Sequence, residues 1–193
     1  MFIAAPDESA DSAALYKSSA DAEGFVMNFS RAWAWRPDVF AGFATLRQQL
    51  TSHSALTRRD LAILVCATAA ELGDSYCSLA WGRTLATEAG AAAAAAVIQN
   101  SGGDGLGVRD HALAAWARCV VADPNATTGD DVERLRDAGM TDREIFESTG
   151  VGREQEVPLQ SRQQTQRQIT PNGNARERCR QATRLGQRES GSA

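Results

Sequence analysis

The most informative part of this chain is Leu56–Ala86, LTRRDLAILVCATAAELGDSYCSLAWGRTLA. Its apolar residues recur at helical spacing on both sides of a short polar break. Thr57 and Asp60 have the spacing of a capping box, and Gly73 is a typical helix stop, so the first half predicts a helix over Arg58–Leu72. The whole stretch therefore predicts two helices joined by a tight turn.

The second of these helices carries Cys77 in its first turn, after a cap at Asp74 or Ser75. Backbone N–H groups at this end of a helix lack intrahelical partners and lie at the positive end of the dipole, and both features stabilise a thiolate. The Asp74 carboxylate would raise the pKa of the thiol instead. Cys77 is therefore a candidate redox residue, and the residues alone leave open which of the two effects is larger.

The rest of residues 1–150 is predicted to be helical as well. Apolar residues recur every three or four positions, and no segment alternates as a half-buried strand does. The predicted helices cover Ser9–Ala22, a segment from Pro37, the poly-Ala segment AGAAAAAAVIQN at 89–100, Val108–Val121, Asp130–Asp137 and Thr141–Ser148. In the helix from Pro37 a well-defined stripe is expected to face a core: Val39, Phe40, Phe43, Leu46 and Leu50. The prediction is an all-α domain of antiparallel helices with short loops.

Several classes of function are disfavoured by composition. A formal charge of -4 argues against nucleic acid as the main partner. No apolar run is long enough to span a bilayer, and the first residues lack a signal-peptide pattern, so we expect a soluble cytoplasmic protein. The four cysteines are too widely spaced to suggest a zinc site or a disulfide framework. The glycine-rich loop 101–107 does not follow a strand, as a phosphate-binding loop would.

The pattern ends near residue 150. Residues 151–193 contain eight Arg, four Glu and eight Gln but no aromatic residue, and their charge is +4 where residues 1–150 carry -8. Such a segment buries too little apolar surface to offset its ordering entropy. Two interpretations are open: a disordered basic extension, or out-of-frame translation of a G+C-rich gene. The second is favoured because the change falls inside a newly capped helix.

With these patterns in view, the chain resembles the carboxymuconolactone decarboxylase and AhpD-like alkylhydroperoxidase superfamily over about Leu15–Phe146. The resemblance is carried by three stretches. They are YKSSADAEGFVMNFSRAWAWRPDVFAGFATL, the stretch Leu56–Ala86 quoted above, and ALAAWARCVVADPNATTGDDVERLRDAGMTDREIF. It implies an AhpD-like antiparallel helical bundle in residues 1–150.

In the peroxidase branch of that superfamily, the signature is a Glu, a Cys-x-x-Cys pair twelve residues later, and a His four residues after the second Cys. The resemblance places the peroxide-reactive cysteine on Cys77. The other three positions differ, because the resolving cysteine falls on Asp74, the His on Trp81 and the relay Glu on Ala62. Two nearby carboxylates, Asp60 and Glu71, are candidates to replace the missing Glu.

The resemblance implies a cysteine-dependent, peroxiredoxin-like antioxidant peroxidase that acts on organic or hydrogen peroxides. It implies no metal, flavin or haem, a dithiol or thioredoxin-like reductant, and a homo-oligomer. One alternative is a non-catalytic helical scaffold in which Cys77 and Trp81 fill the former active site. Another is a decarboxylase-like enzyme, which would need a histidine where Trp81 stands, although the chain has only His53 and His111. A third is a small-molecule pocket lined by Trp33, Trp35 and Trp81.

Overall fold

The structure, a computed structural model, describes residues 4–154. They form nine α-helices, a short 3-10 helix at Pro124–Ala126 and no β-strand, which confirms the predicted all-α class. The helices are α1 (Ala10–Glu23), α2 (Asn28–Trp33), α3 (Pro37–Ser52), α4 (Arg58–Leu72), α5 (Ser75–Ala89), α6 (Ala91–Gln99), α7 (Val108–Ala122), α8 (Gly129–Asp137) and α9 (Asp142–Glu154). Apart from 151–154, which end α9, the predicted basic tail lies outside the described residues.

Local signals in the sequence set the ends of α4. Thr57 donates its hydroxyl hydrogen to Asp60 across 2.8 Å, and the Asp60 backbone N–H donates to the Thr57 hydroxyl oxygen across 3.1 Å. Gly73, with a left-handed φ of 70°, ends the helix. The observed bounds of α4 are therefore those that the sequence predicts. By contrast, α9 continues past the predicted end at Ser148 to Glu154.

Residues 54–154 form a compact unit centred on α4. Every residue of the segment 62–69 is buried, and α4 packs against α5, α6, α7 and α9. A helical segment that is covered on all sides is apolar around its whole circumference, as 62–69 is apart from Thr68. Within residues 4–154, no helix combines the length and the apolar character that crossing a lipid bilayer requires.

Residues 4–53 form a second unit, made of α1, α2 and α3. Its aromatic side chains make a cluster with ring centroids 5.5 to 6.3 Å apart, comprising Phe29, Trp33, Phe40 and Phe43. No residue of α3 is buried, and Val39 and Leu46 remain 41% and 49% exposed. The predicted stripe thus meets other aromatic residues at Phe40 and Phe43 but stays largely open to solvent at Val39 and Leu46.

Reciprocal ion pairs join the amino-terminal turns of α4 and α7. Arg59 of α4 binds Asp110 across 2.6 Å, while Arg109 of α7 binds Asp60 across 3.1 Å and also Glu144 of α9 across 2.7 Å. Burial by itself would raise the pKa of Asp60, but hydrogen bonds from Arg109 and from the Thr57 cap outweigh it and lower that pKa. These ion pairs thus hold the amino-terminal ends of α4, α7 and α9 next to one another.

The glycine-rich loop has a packing role at Gly103. A Cβ atom there would overlap the Cβ of Ala96 on α6, closer than two carbon atoms can approach. We expect Gly103→Ala to lower the free energy of unfolding by about 1–3 kcal/mol, because the loop must move away from α6. The measurement is urea unfolding followed by circular dichroism.

A matched control for this substitution is Gly129→Ala, at a helical glycine whose added Cβ would meet no atom within 4 Å. This variant should be as stable as the wild type or more stable by up to about 1 kcal/mol, because alanine has less conformational freedom than glycine in the unfolded chain. Equal stability of the Gly103 and Gly129 variants would contradict the close packing of the loop on α6.

Candidate active site

The connection between α4 and α5 consists of only two residues, and both are held by backbone hydrogen bonds. The Gly73 N–H donates to the Ala70 carbonyl across 3.2 Å, and the Asp74 N–H donates to the Ala69 carbonyl across 2.8 Å. This pair of bonds is a Schellman motif, which satisfies the last carbonyl groups of α4. The backbone of Asp74 is therefore held in place by a hydrogen bond to α4.

Asp74 is also the N-cap of α5. One carboxylate oxygen, Oδ1, accepts the backbone N–H groups of Tyr76 and Cys77, each across 3.0 Å. The side chain is nearly buried, with 8% of the residue exposed. Of the two caps that the sequence left open, Asp74 or Ser75, the structure has Asp74. Its carboxylate occupies the amide groups that could otherwise stabilise a Cys77 thiolate.

Cys77 is the third residue of α5. It is half-buried and takes part in no disulfide, and the preceding Tyr76 is 50% exposed. The side chain thus lies between the core and the surface, at the end of the helix where charge–dipole effects are strongest. Cys77 is thus not enclosed in the core, whereas Cys66 is.

The two positions where the superfamily has its proton relay are apolar here. Ala62 is fully buried in α4 and belongs to the main core cluster. Trp81, one turn after Cys77 on α5, is partly buried and packs against the same cluster. Neither side chain can exchange a proton with a thiol. Neither position therefore offers a proton relay of the kind found in the superfamily.

The two other carboxylates named in the sequence analysis lie at opposite ends of α4. Asp60 is in the first turn, where it accepts hydrogen bonds from Thr57 and Arg109. Glu71 is in the last turn, about 16 Å farther along the helix axis, and is half-buried. Only Glu71 is thus at the end of α4 that leads to Cys77.

Arg118 of α7 is a buried residue that the sequence analysis did not single out. It is 5% exposed, and its guanidinium donates to the carbonyl oxygens of Ala114 and Val97. Burial lowers its pKa, and the nearby Glu71 charge opposes that effect. The sequence does contain a signal for this residue, because Arg118 is a single charged residue inside the apolar stripe of α7. Arg118 supplies a positive charge next to Glu71.

Cys66 of α4 is a second cysteine in the same region, and it is completely buried. Burial raises the pKa of its thiol to about 11, although the Arg118 charge acts in the opposite direction. The Cys66 thiol is therefore protonated at neutral pH and is a poor nucleophile. This agrees with its interpretation as a small buried hydrophobic residue.

The remaining candidate residues are distributed over both units. His53 is exposed at the end of α3, and His111 is half-buried in the first turn of α7. Trp33 belongs to the aromatic cluster of residues 4–53, and the Trp35 indole N–H donates to the Ala4 carbonyl across 3.1 Å. In the part of the chain that the structure describes, no three His, Cys, Asp or Glu side chains could together hold a metal ion.

The chain was compared with known protein families, curated proteins and solved structures. No protein-family model matches the chain, and no curated protein matches it in sequence. Among solved structures, the chain is similar to an uncharacterized peroxidase-related protein of Ralstonia eutropha JMP134, described as an alkylhydroperoxidase AhpD core. The identity is 27%, the TM-score is 0.68, and 84% of each chain is covered.

A second similar structure is an uncharacterized peroxidase-related protein of Silicibacter sp. TM1040. The identity is 17% and the TM-score 0.64, with 77% of this chain and 78% of that chain covered, so this likeness concerns the fold alone. The α4–α5 hairpin with a cysteine in the first turn of α5 is part of an AhpD-like helical fold. The resemblance to the AhpD-like superfamily drawn from the sequence is thereby confirmed.

Proposed function

We propose that this protein is a cysteine-dependent peroxidase that reduces organic or hydrogen peroxides at Cys77. The observation that carries the proposal is the half-buried thiol in the first turn of α5, within a fold similar to proteins named peroxidase-related. In the reaction, the sulfur attacks one oxygen of ROOH and the O–O bond breaks. The products are the sulfenic acid of Cys77 and the alcohol ROH.

The sulfenic acid must then be reduced by thiols from outside the local motif, because Asp74 stands where the superfamily has its resolving cysteine. One thiol of a dithiol, or of a thioredoxin-like protein, condenses with the sulfenic acid to form a mixed disulfide and water. The second thiol displaces the Cys77 thiolate and closes its own disulfide. The peroxide is the oxidant and the dithiol the reductant, and this cycle uses no metal, flavin or haem.

The proposal predicts that peroxide converts Cys77 to a sulfenic acid that dimedone traps. The adduct should be found on the Cys77 peptide by mass spectrometry and should be absent from the Cys77→Ser variant. Cys66→Ser is the matched control, since the buried Cys66 thiol has a pKa of about 11 and should not react. Trapping on Cys77 should therefore be unchanged in the Cys66 variant, and consumption of peroxide with a dithiol should follow the same pattern.

A second candidate function is a non-catalytic helical scaffold. The observation that favours it is the apolar character of both relay positions, with Ala62 in the core and Trp81 packed against it. Burial of an indole contributes about 2–3 kcal/mol, so the loss of the relay would stabilise the fold. Wild-type protein that gives no more dimedone adduct than Cys77→Ser would favour this candidate over the peroxidase.

A further inference from the structure

The unit formed by residues 4–53 buries little apolar surface of its own. Within this range one apolar residue, Ala34, is buried, and four large apolar residues are exposed: Phe25, Trp35, Val39 and Leu46. They are half of the large exposed apolar residues in the described chain, although the unit makes up about a third of it. Scattered apolar residues on a surface need no explanation, but a concentration of them marks an interaction site.

The helix α3 is the least covered element of this unit. None of its 16 residues is buried, whereas every other α-helix of the described chain has at least one buried residue. A helix of this length is only marginally stable alone in water, so it depends on packing. Phe40 and Phe43 provide packing along one edge, where their rings meet the aromatic cluster. The other edge, with Val39 and Leu46, has no such cover within residues 4–53.

The apolar residues of α3 have the spacing of a helix-pairing seam. Val39, Phe43, Leu46 and Leu50 follow one another at intervals of four, three and four residues, as the a and d positions of a coiled coil do. At 3.6 residues per turn, Val39, Leu46 and Leu50 lie within about 40° of one another around the helix axis. A second helix with the same spacing fits this face.

We propose that α3 is an interface between two copies of this chain, whose α3 helices pack antiparallel about a two-fold axis. The axis passes near the middle of the seam. Val39 then faces Leu50 of the partner subunit, and Phe43 faces Leu46 of the partner subunit. Each copy contributes the same patch of surface, as a two-fold dimer requires.

The charges of α3 are compatible with a second copy. The helix has only two charged residues, Asp38 and Arg47, which have opposite signs and lie beside the seam. Asp38 is paired with Arg36 across 2.7 Å, and the Arg47 guanidinium lies 6.0 Å from the Phe43 ring centroid. No like charges therefore meet in the seam, and the antiparallel arrangement places opposite ends of the two helix dipoles side by side. An anionic lipid surface would require a basic face, which α3 does not have.

The exposed apolar area has the size that one further copy covers. Phe25, Trp35, Val39 and Leu46 are each 41–55% exposed, which leaves about 400 Å² of mainly apolar surface on each copy. A standard dimer interface buries about 800 Å² per partner, of which about 450 Å² is apolar. The two areas agree.

The segment 155–193 of the same chain is poorly suited to cover this seam. Its sequence has no aromatic residue and only four large aliphatic residues, at positions 157, 159, 169 and 185. No two of these positions are three or four residues apart, as the contacts of a helical seam require. A second α3 has that spacing throughout.

Two complementary substitutions test the seam. Val39→Glu places a charge opposite Leu50 of the partner subunit, and Leu50→Lys places one opposite Val39 of the partner subunit. Each variant alone should associate with itself at least about 100-fold more weakly than the wild type, because an unpaired charge enters an apolar contact. The measurement is sedimentation equilibrium of the full-length protein in a reducing buffer, from about 1 to about 100 µM.

An equimolar mixture of the two variants tests the antiparallel arrangement. In the mixed dimer the new glutamate of one copy faces the new lysine of the other, so association should return to within about 10-fold of the wild type. In a parallel pair the new charges would face unchanged apolar residues, and mixing would restore nothing.

The matched control is Gln48→Glu, which adds the same charge at an exposed position on the opposite side of α3 from Val39. This control should associate like the wild type. Neither Val39 nor Leu50 is buried, so all variants should keep the helix content of the wild type by circular dichroism.

Each result either supports or overturns the interface. Wild-type association that both variants lose and their mixture restores supports it. A wild type that is monomeric over the whole range overturns it, and this is also the result expected if a lipid surface or a different protein covers α3. Undiminished association of Val39→Glu overturns the seam, and a mixture that stays monomeric overturns the antiparallel pairing. None of these results depends on whether Cys77 reacts with peroxide.

Discussion

Replacing Arg109 by Met should lower the free energy of unfolding by about 3–5 kcal/mol at pH 7, the cost of removing one partner of a buried ion pair. The Asp60 side chain is only 3% exposed, and Arg109 is its ion-pair partner from the neighbouring helix. In the variant, Asp60 and Glu144 both lose a guanidinium. Urea unfolding followed by circular dichroism measures the change.

The matched control is Arg136→Met. Arg136 also contacts two carboxylates, Glu133 and Asp142, but these pairs are exposed to solvent. Exposed pairs of this kind contribute about 0–1 kcal/mol, so the control should be nearly as stable as the wild type. If the Arg109 and Arg136 variants were equally stable, the pairing across α4, α7 and α9 would have no structural role.

The cost of Arg109→Met should depend on pH with a definite sign. In the wild type the folded state has a lowered pKa for Asp60, so this contribution to stability is present above the ordinary value of 3.8 and is lost as the pH falls through the folded value. In the variant, loss of the Arg109 hydrogen bond and charge raises the pKa of Asp60 relative to the wild type, so the folded variant takes up a proton at a higher pH than the folded wild type does. The stability difference between the two proteins should therefore be smaller at pH 3.5 than at pH 7.

We expect the Cys66 thiol to lower the free energy of unfolding of the wild-type protein at alkaline pH. Because its thiol has a pKa of about 11 in the folded protein against 9.0 as the ordinary value, the unfolded chain ionises first as the pH rises. The contribution of the neutral, buried Cys66 thiol to the free energy of unfolding is fully present below pH 9 and is lost between pH 9 and 11. Two units of pKa correspond to about 2–3 kcal/mol of stability. Urea unfolding at several pH values in a reducing buffer measures this slope.

The Cys66→Ala variant should lack that part of the slope, whatever its stability at pH 7, since it has no thiol to ionise on unfolding. Cys77→Ala is the matched control, because it removes a half-buried cysteine from the helix that packs against α4 and leaves Cys66 in place. The control should keep the wild-type decline. Parallel curves for the wild type and the Cys66 variant would show that the Cys66 thiol titrates alike in the folded and unfolded chain.

Local sequence determined most of the helix boundaries and the position of the candidate site. The capping box at Thr57, the left-handed glycine at Gly73 and the cap at Asp74 act within a few residues of one another, so no distant contact is needed to place Cys77 in the first turn of α5. The helix α2 is absent from the predicted helices, because its six residues are too few for a helical period to show.

Other features depend on residues that are far apart in the chain, and only the tertiary structure decided them. The sequence predicts the helix cap at Asp60 but not its pairing with Arg109 and Glu144, which only the packing of three helix ends produces. The same holds for Arg118, whose partner carbonyl on α6 is 21 residues away. Helix caps follow from hydrogen bonds between near neighbours, so they can be predicted from the sequence. Pairings between helices depend on how the helix ends come together in space, so the sequence alone does not predict them.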